Sequence, residues 1–347
     1  MIDIEKMING EIARLRLTSV ASSGALNFYG PDEGIGHGWW YHRYLKWLFA
    51  NFEYSELSSW VSKTTPLNRR DGNMKINDKT LQPVSLFPNC VVIKPHEGVM
   101  LNAVGLSSPG LLNLLLRGEW QKITSPFGIS LAAISSNPKE RLEELQTMVC
   151  ILRAFLPYFH TFFFIEYNPS CPNVGHNPCD LEKWILPELE VLSSLGVILS
   201  VKLSPTVSFE TVRDIEQSGL CSWISFANTI PFGKFPDKVD WKRFFGTANP
   251  ELSPLRRRGY GAGGFSGWPS IDIVPPLIQY FHDKGITTPF LGGSGIGYRR
   301  LKHLYGEIKA YHDADTDALQ FGGMFPMRPW LVKPAIRITN EMFGKGR

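Results

Sequence analysis

The polar residues best suited to chemistry fall in short clusters, each closing an apolar run. Lys63 and Thr64 follow SSWVS, Asn168, Ser170, Cys171 and Asn173 follow TFFFIEY, Lys202 closes VILSVK, and Asn228-Thr229 follows WISFA. A side-chain amide carries both a donor and an acceptor, so Asn102, Asn168, Asn173 and Asn228 suit a small planar ligand whose edge alternates N–H and C=O, as a pyrimidine edge does. Cys171 is a candidate base. An ordinary thiol, with a pKa of about 8.5, is only slightly ionised at neutral pH, so it needs a polar, partly closed loop to be effective. Lys202 is open to two readings: a cation set against developing negative charge, or a lysine forming a Schiff base with a carbonyl. The turns Gly292-Gly293-Ser294-Gly295 and Gly322-Gly323 let backbone N–H groups approach a phosphate, which implies a phosphorylated substrate or cofactor.

Runs rich in β-branched and aromatic residues, separated by amphipathic segments, are expected to position these groups as repeated βα units. Eight such runs lie near 19–23, 58–64, 127–133, 161–167, 197–203, 223–228, 288–293 and 317–322. Helices are expected over 138–157, opening with Asn137-Pro138, and over 181–195 and 208–218, with Asp180 and Ser208 as N-caps. The pattern predicts an α/β fold, a (β/α)₈ TIM barrel with extended loops at its C-terminal face, in one domain spanning 1–347. The polar clusters then lie at carboxyl ends of strands, where barrel enzymes keep their chemistry, and the glycine turns follow strands seven and eight, the usual phosphate site. The connections 65–126 and 229–287 are too long for simple turns and are candidate substrate covers.

The 347 residues are 43% hydrophobic and 20% charged, with a net charge of +4, which fits a globular protein and gives no reason to expect nucleic acid. No apolar run approaches the roughly 18 residues of a membrane span, and the opening MIDIEKMINGEIARLRL lacks the features of a signal peptide, so a cytoplasmic location is the expectation. The cysteines Cys90, Cys150, Cys171, Cys179 and Cys221 include no CxxC, which argues against a disulfide framework or zinc site. Apart from Cys171, whose neighbours are Asn, Ser, Pro and Asn, they lack such flanks and read as structural. No metal is expected: His37 and His42 lack carboxylates at ligand spacing, and Asp313, Asp315 and Asp317 read as a solvated turn. Arg256-Arg257-Arg258 reads as a solvated loop. Gly259, Gly261 and Gly264 match G-x-G-x-x-G without a preceding strand, so a dinucleotide site is rejected.

Asn168-Pro169-Ser170-Cys171-Pro172-Asn173 resembles the N-x-S-C-P-N signature of the dihydroorotate dehydrogenase family, in its class 1-like form with a catalytic cysteine. Five fixed residues at set spacing arise by chance about once in ten thousand chains of this length. Lys63-Thr64-Thr65-Pro66-Leu67 with Arg70-Asp71-Gly72-Asn73, and Asn102-Ala103-Val104-Gly105-Leu106, are similar to further family segments. Val201-Lys202-Leu203-Ser204-Pro205, Ala227-Asn228-Thr229 and Gly264-Phe265-Ser266-Gly267 follow in the family's order, and the likeness runs from about Ser22 to Phe325.

The resemblance implies a flavoprotein of pyrimidine biosynthesis that oxidises dihydroorotate to orotate. Cys171 would take the proton from carbon 5 while hydride leaves carbon 6 for FMN. Lys202 would stand near the flavin's pyrimidine edge, and Lys63 would orient flavin and substrate. It implies substrate contacts from Lys63, Asn102, Gly105, Leu106, Asn168, Asn173, Asn228 and Thr229. FMN contacts are implied for Ser23, Gly24, Lys63, Thr64, Asn168, Lys202, Ser266, Gly267, Ser294, Gly295, Gly322 and Gly323. A homodimer is the implied assembly, with an iron–sulfur flavoprotein subunit as a further partner and the electron acceptor left open among NAD, fumarate and others.

Ser294 stands where the family has glycine, and Gly323 where it has a phosphate-binding threonine, which removes a hydroxyl donor. The aromatic segment 37–49 reads as packing or a subunit contact, and 235–262 fits no family segment. Competing readings are a dihydropyrimidine dehydrogenase-type flavin barrel, whose cysteine loop has histidine at Asn173's place, a non-redox barrel using Lys202 as a Schiff-base lysine, and a catalytically silent flavin-binding scaffold.

Overall fold

The computed structural model describes residues 1–8, 11–169 and 178–344. All eight expected strands form: β1 (Ser19–Ala21), β2 (Ser59–Trp60), β3 (Phe127–Leu131), β4 (Phe163–Tyr167), β5 (Ile198–Lys202), β6 (Trp223–Ser225), β7 (Phe290–Gly292) and β8 (Ala318–Phe321). They pair in parallel in the order β2-β1-β8-β7-β6-β5-β4-β3. Parallel bridges from Val61 to Gly128 and from Thr65 to Leu131 join the chain after β2 back to β3. The sheet thus closes on itself as the expected (β/α)₈ barrel. Strands covered on both faces must be nearly continuous in apolar residues, and every residue of β3, β4 and β5 is buried.

The helix Pro138–Phe155 is capped by Asn137, whose side chain accepts from the Lys139 N–H, and Phe209–Ser218 by Ser208, which accepts from the Thr211 N–H. The helix between them runs Pro178–Ser193, so Asp180 lies in its first turn and not before it. Proline at a helix's first position loses no hydrogen bond, which lets the helix start earlier than the acidic residue suggested. An ion pair in which the Arg141 Nε lies 2.6 Å from Glu188 joins the first two of these three helices, Pro138–Phe155 and Pro178–Ser193. The Tyr167 hydroxyl, from the end of β4, donates to the second Glu188 oxygen at 2.6 Å. Both charged side chains are buried.

Two features went unread in the sequence. Strands Ile2–Ile8 and Glu11–Leu17 form an antiparallel hairpin, and Ile2, Leu15 and Leu17 pack with Phe164, Ile198, Trp223 and Leu291 to plug the amino end of the barrel. At the opposite end the two long connections build one antiparallel sheet, in the order Ile230–Pro231, Gly264–Gly267, Val99–Asn102, Val91–Lys94. This cap has an apolar core of its own, including Leu101, Phe232, Trp241, Phe244 and Phe265. The segment 235–262, which matched nothing in sequence, supplies Val239, Trp241, Phe244, Phe245 and Leu255 to that core. Among the described residues no helix is long and apolar enough to cross a membrane.

The aromatic segment forms the helix His42–Leu48, with His42 buried against Tyr41, Phe52, Tyr54 and Phe325. Among the described residues neither ring nitrogen of His42 has a hydrogen-bond partner, and burial, aided by the Lys46 charge, lowers its pKa to about 3. The unfolded chain therefore binds a proton below about pH 6.5 that the folded chain refuses until about pH 3. Stability falls as pH drops through that window, by about 2 kcal/mol at pH 5 from this group. His42→Phe is expected to remove this increment, so urea midpoints at pH 7.5 and 5 should converge in the variant. An unchanged gap between the two midpoints would show that other groups drive the acid loss.

Candidate active site

Lys63 follows β2 and is buried, its stem lying along Gly24 and its ammonium donating to the Ser107 carbonyl, 5.5 Å from the Phe28 ring centre. Beside it the Thr64 hydroxyl shares a 2.9 Å bond with Ser130 of β3 and accepts from the Asn168 amide at 3.3 Å. Asn168 in turn accepts from the Asn228 amide at 3.0 Å, and Asn228 accepts from the Thr229 N–H at 3.0 Å. On the other side Ser23 stands 3.4 Å from the Thr64 hydroxyl and accepts from the Lys202 ammonium at 3.0 Å. One connected path of hydrogen bonds thus links residues that follow β1, β2, β4 and β6 with the last residue of β5. Residues separated by up to 179 positions meet because a closed barrel brings every strand end to one rim.

Inside that rim Lys202 also faces Glu166 of β4 at 3.9 Å. The second Glu166 oxygen accepts from Gln320 of β8 at 2.8 Å, and Gln320 accepts from Ser225 of β6 at 2.9 Å. Glu166 is 1% exposed, so its charge depends on these partners for solvation. Sequence reasoning passed over Glu166 and Gln320. The available signal was a carboxylate inside FFFIEY, an otherwise apolar run whose alternation points that position into the barrel.

The cap supplies the other wall. Gly264 pairs with Asn102 across the sheet, and a Cβ on Gly264 would lie 1.9 Å from the Thr229 hydroxyl, so glycine there lets Asn102 and Thr229 approach from either side. The Thr229 hydroxyl is buried with no hydrogen-bond partner among the described residues. A buried orphan of this kind is expensive unless a ligand satisfies it. Leu106 holds a left-handed backbone (φ 57) and packs on Ala132 beyond β3. The loop carrying Gly105 and Leu106 is braced by Arg70, which donates to the Gly105 carbonyl at 2.9 Å, and by Asn73, which donates to the Ala103 carbonyl at 2.6 Å. Those bracing roles explain the Arg70-Asp71-Gly72-Asn73 segment, and Trp39 likewise holds the Gly24 carbonyl at 2.7 Å.

After β6, β7 and β8 a small cleft of about 50 Å³ opens, lined by Ser22, Asn228, Ser266, Ser294, Gly295 and Gly323 among others. Its walls need glycine: a Cβ on Gly293 (φ 125) would stand 2.2 Å from the Gln320 carbonyl, and one on Gly295 (φ 91) 2.9 Å from the Gly267 carbonyl. Ser294 has no left-handed backbone to accommodate, and its hydroxyl is turned to the Phe226 carbonyl at 2.9 Å.

No family model matches the chain. Among curated proteins, the catalytic subunit of dihydroorotate dehydrogenase B (NAD(+)) from Halalkalibacterium halodurans is 29% identical over 236 residues, 65% of this chain and 68% of that protein. Its counterpart from Bacillus mycoides is 27% identical over 236 residues, 65% of this chain and 67% of that protein. The chain is thus similar to members of the dihydroorotate dehydrogenase family. Among solved structures, the tryptophan synthase α-subunit of Pyrococcus furiosus is 11% identical with a TM-score of 0.41, over 94% of this chain and 97% of that one, a likeness too remote to bear on function.

Of the residues to which the motifs pointed, Ser23, Gly24, Lys63, Thr64, Asn168, Lys202, Asn228 and Thr229 meet at the rim. Asn102, Gly105 and Leu106 come to it from the cap side, and Ser266, Ser294, Gly295, Gly322 and Gly323 line the cleft, with Gly267 beside it. Cys171 and Asn173 lie outside the described residues, as does Ser170. Burial pushes the Cys90 thiol up and the Cys221 thiol up to about 12, which suits packing roles, whereas Cys150 is exposed on the helix Pro138–Phe155.

Proposed function

We propose that the chain oxidises dihydroorotate to orotate with FMN as its cofactor. The observation that supports this most is the junction of the hydrogen-bonded rim from Lys202 to Thr229 with a glycine-walled cleft beside it. The residues fit a flavin phosphate: Ser266, Ser294, Gly295, Gly322 and Gly323 line the cleft, Gly267 lies beside it, and Gly293 and Gly295 pack so closely on the backbone of Gln320 and Gly267 that no side chain fits there. Ser23, Gly24, Lys63, Thr64, Asn168 and Lys202 then hold the ring end. FMN, when bound, supplies the two-electron acceptor for the hydride that leaves carbon 6 of the substrate.

Cys171 takes the proton from carbon 5, so that the pair of electrons left behind forms the carbon–carbon double bond. Asn102, Asn168, Asn173 and Asn228 present alternating donors and acceptors to the substrate ring, and the orphan hydroxyl of Thr229 has its partner there. Lys63 holds substrate and flavin in register, and Lys202 sets a positive charge at the mouth. Its ion pair with Glu166 and bond to Ser23 engage Lys202, which works against the open, neutral amine that Schiff-base chemistry requires. Reoxidation by NAD through an iron–sulfur flavoprotein subunit, in a complex built on a homodimer in the cytoplasm, completes the proposal.

Purified protein should be yellow, and anaerobic dihydroorotate should bleach it. A colourless protein that acquires no flavin spectrum on addition of FMN refutes the reading, and a yellow protein that does not bleach leaves a flavin-binding scaffold in its place. Adding NAD, fumarate or a quinone to the bleached protein, with and without the partner subunit, identifies the acceptor by which restores the colour.

A further inference from the structure

Among the described residues the cleft beside the rim has no lysine or arginine in its lining, so an anion seated there depends on neutral donors: hydroxyls, side-chain amides and backbone N–H groups. The hydroxyl hydrogen of Ser294 is spent on the Phe226 carbonyl. Tyr298 is a buried residue of the same lining, with Ser266 beside it. Burial pushes the Tyr298 phenol up, more than the neighbouring Ser266 hydroxyl draws it back down. A phenol kept protonated by burial carries one hydrogen to give. The hydroxyl stands where a side chain of residue 323 would begin: a Cβ on Gly323 would lie 1.6 Å from the Tyr298 oxygen.

We propose that Tyr298 is a ligand-binding residue of this cleft, its hydroxyl passing through the gap at Gly323 to donate to the phosphate of a phosphorylated ligand. Gly323 is glycine because any side chain would displace that hydroxyl. The donor that the sequence lacks at position 323 is thereby supplied from position 298, at the end of the turn after β7. This inference rests on the flavin reading and adds to it the group that recognises the phosphate end.

Comparing FMN with riboflavin separates the two, since the ligands differ only in the phosphate. With protein freed of its flavin, binding is read from flavin fluorescence. Tyr298→Phe keeps the ring and removes the hydroxyl, so FMN affinity should fall about tenfold, the worth of one hydrogen bond to a charged acceptor, while riboflavin affinity holds. An equal fall for both ligands, or no fall for FMN, overturns the donor role and leaves the flavin reading standing. Wild-type protein that binds neither ligand overturns both. Should Tyr298→Phe lose structure, Tyr298→Ala combined with Gly323→Thr moves a hydroxyl to the other side of the gap and should recover most of the preference for FMN over riboflavin that Tyr298→Ala loses. No recovery there also tells against the donor role.

Discussion

Alanine in place of Cys171 is expected to leave a folded, yellow protein whose flavin is reduced by dihydroorotate about 10²–10⁴-fold more slowly, the usual worth of a positioned general base. The two half-reactions make the test specific. Proton removal from carbon 5 needs the base, whereas reoxidation of the flavin does not, so the variant reduced chemically should still pass its electrons to an acceptor at the wild-type rate. Stopped-flow absorbance under anaerobic conditions reads both. Reduction by dihydroorotate at the wild-type rate in Cys171→Ala would remove the cysteine from the mechanism. Slowing of both half-reactions together would point to a general disturbance of the site.

The second large effect is structural. Arg141→Leu leaves Glu188 buried with the Tyr167 hydroxyl as its hydrogen-bond partner among the described residues, and an uncompensated charge in that position costs about 3–5 kcal/mol. Arg141→Leu combined with Glu188→Leu removes both charges and is expected to recover much of that loss, because the pair's mutual attraction is largely offset by the desolvation of two ions. Denaturant unfolding of the wild type and the two variants checks the sign and the order. The pair has a functional consequence as well. Tyr167 ends β4 immediately before Asn168, so loosening this clamp is expected to disturb the Thr64–Asn168–Asn228 hydrogen bonds before it unfolds the barrel. A single variant as stable as the wild type would mean that water reaches Glu188.

Much of the rim was legible in sequence for a local reason. Lys63, Asn168, Lys202 and Asn228 each interrupt or close an apolar run, and a polar residue in that place is costly unless it has a task, so its position in the sequence points to its position in the site. The glycine turns were legible for the same reason, since Gly293 and Gly295 hold backbone conformations that side chains rarely adopt. Local pattern failed where pairing was distant. The cap sheet joins Val99–Asn102 to Gly264–Gly267, short strands from two connections that carry no alternation long enough to announce a sheet. The amino-terminal hairpin was passed over because its charged residues, among them Asp3, Arg14 and Arg16, line one face while Ile2, Leu15 and Leu17 enter the barrel floor.

By itself, then, the order of residues determined the barrel, the strand ends that carry polar groups and the turns that leave room for a phosphate, because each depends on periodicity or on a motif a few residues long. Only the tertiary structure decided which distant groups became partners. Glu166 and Gln320, 154 positions apart, solvate one another beside Lys202, and the Tyr298 hydroxyl occupies the space that Gly323 leaves open. Such pairings follow from the closure of the sheet, which fixes inward-pointing side chains within a few ångströms of one another whatever their separation along the chain.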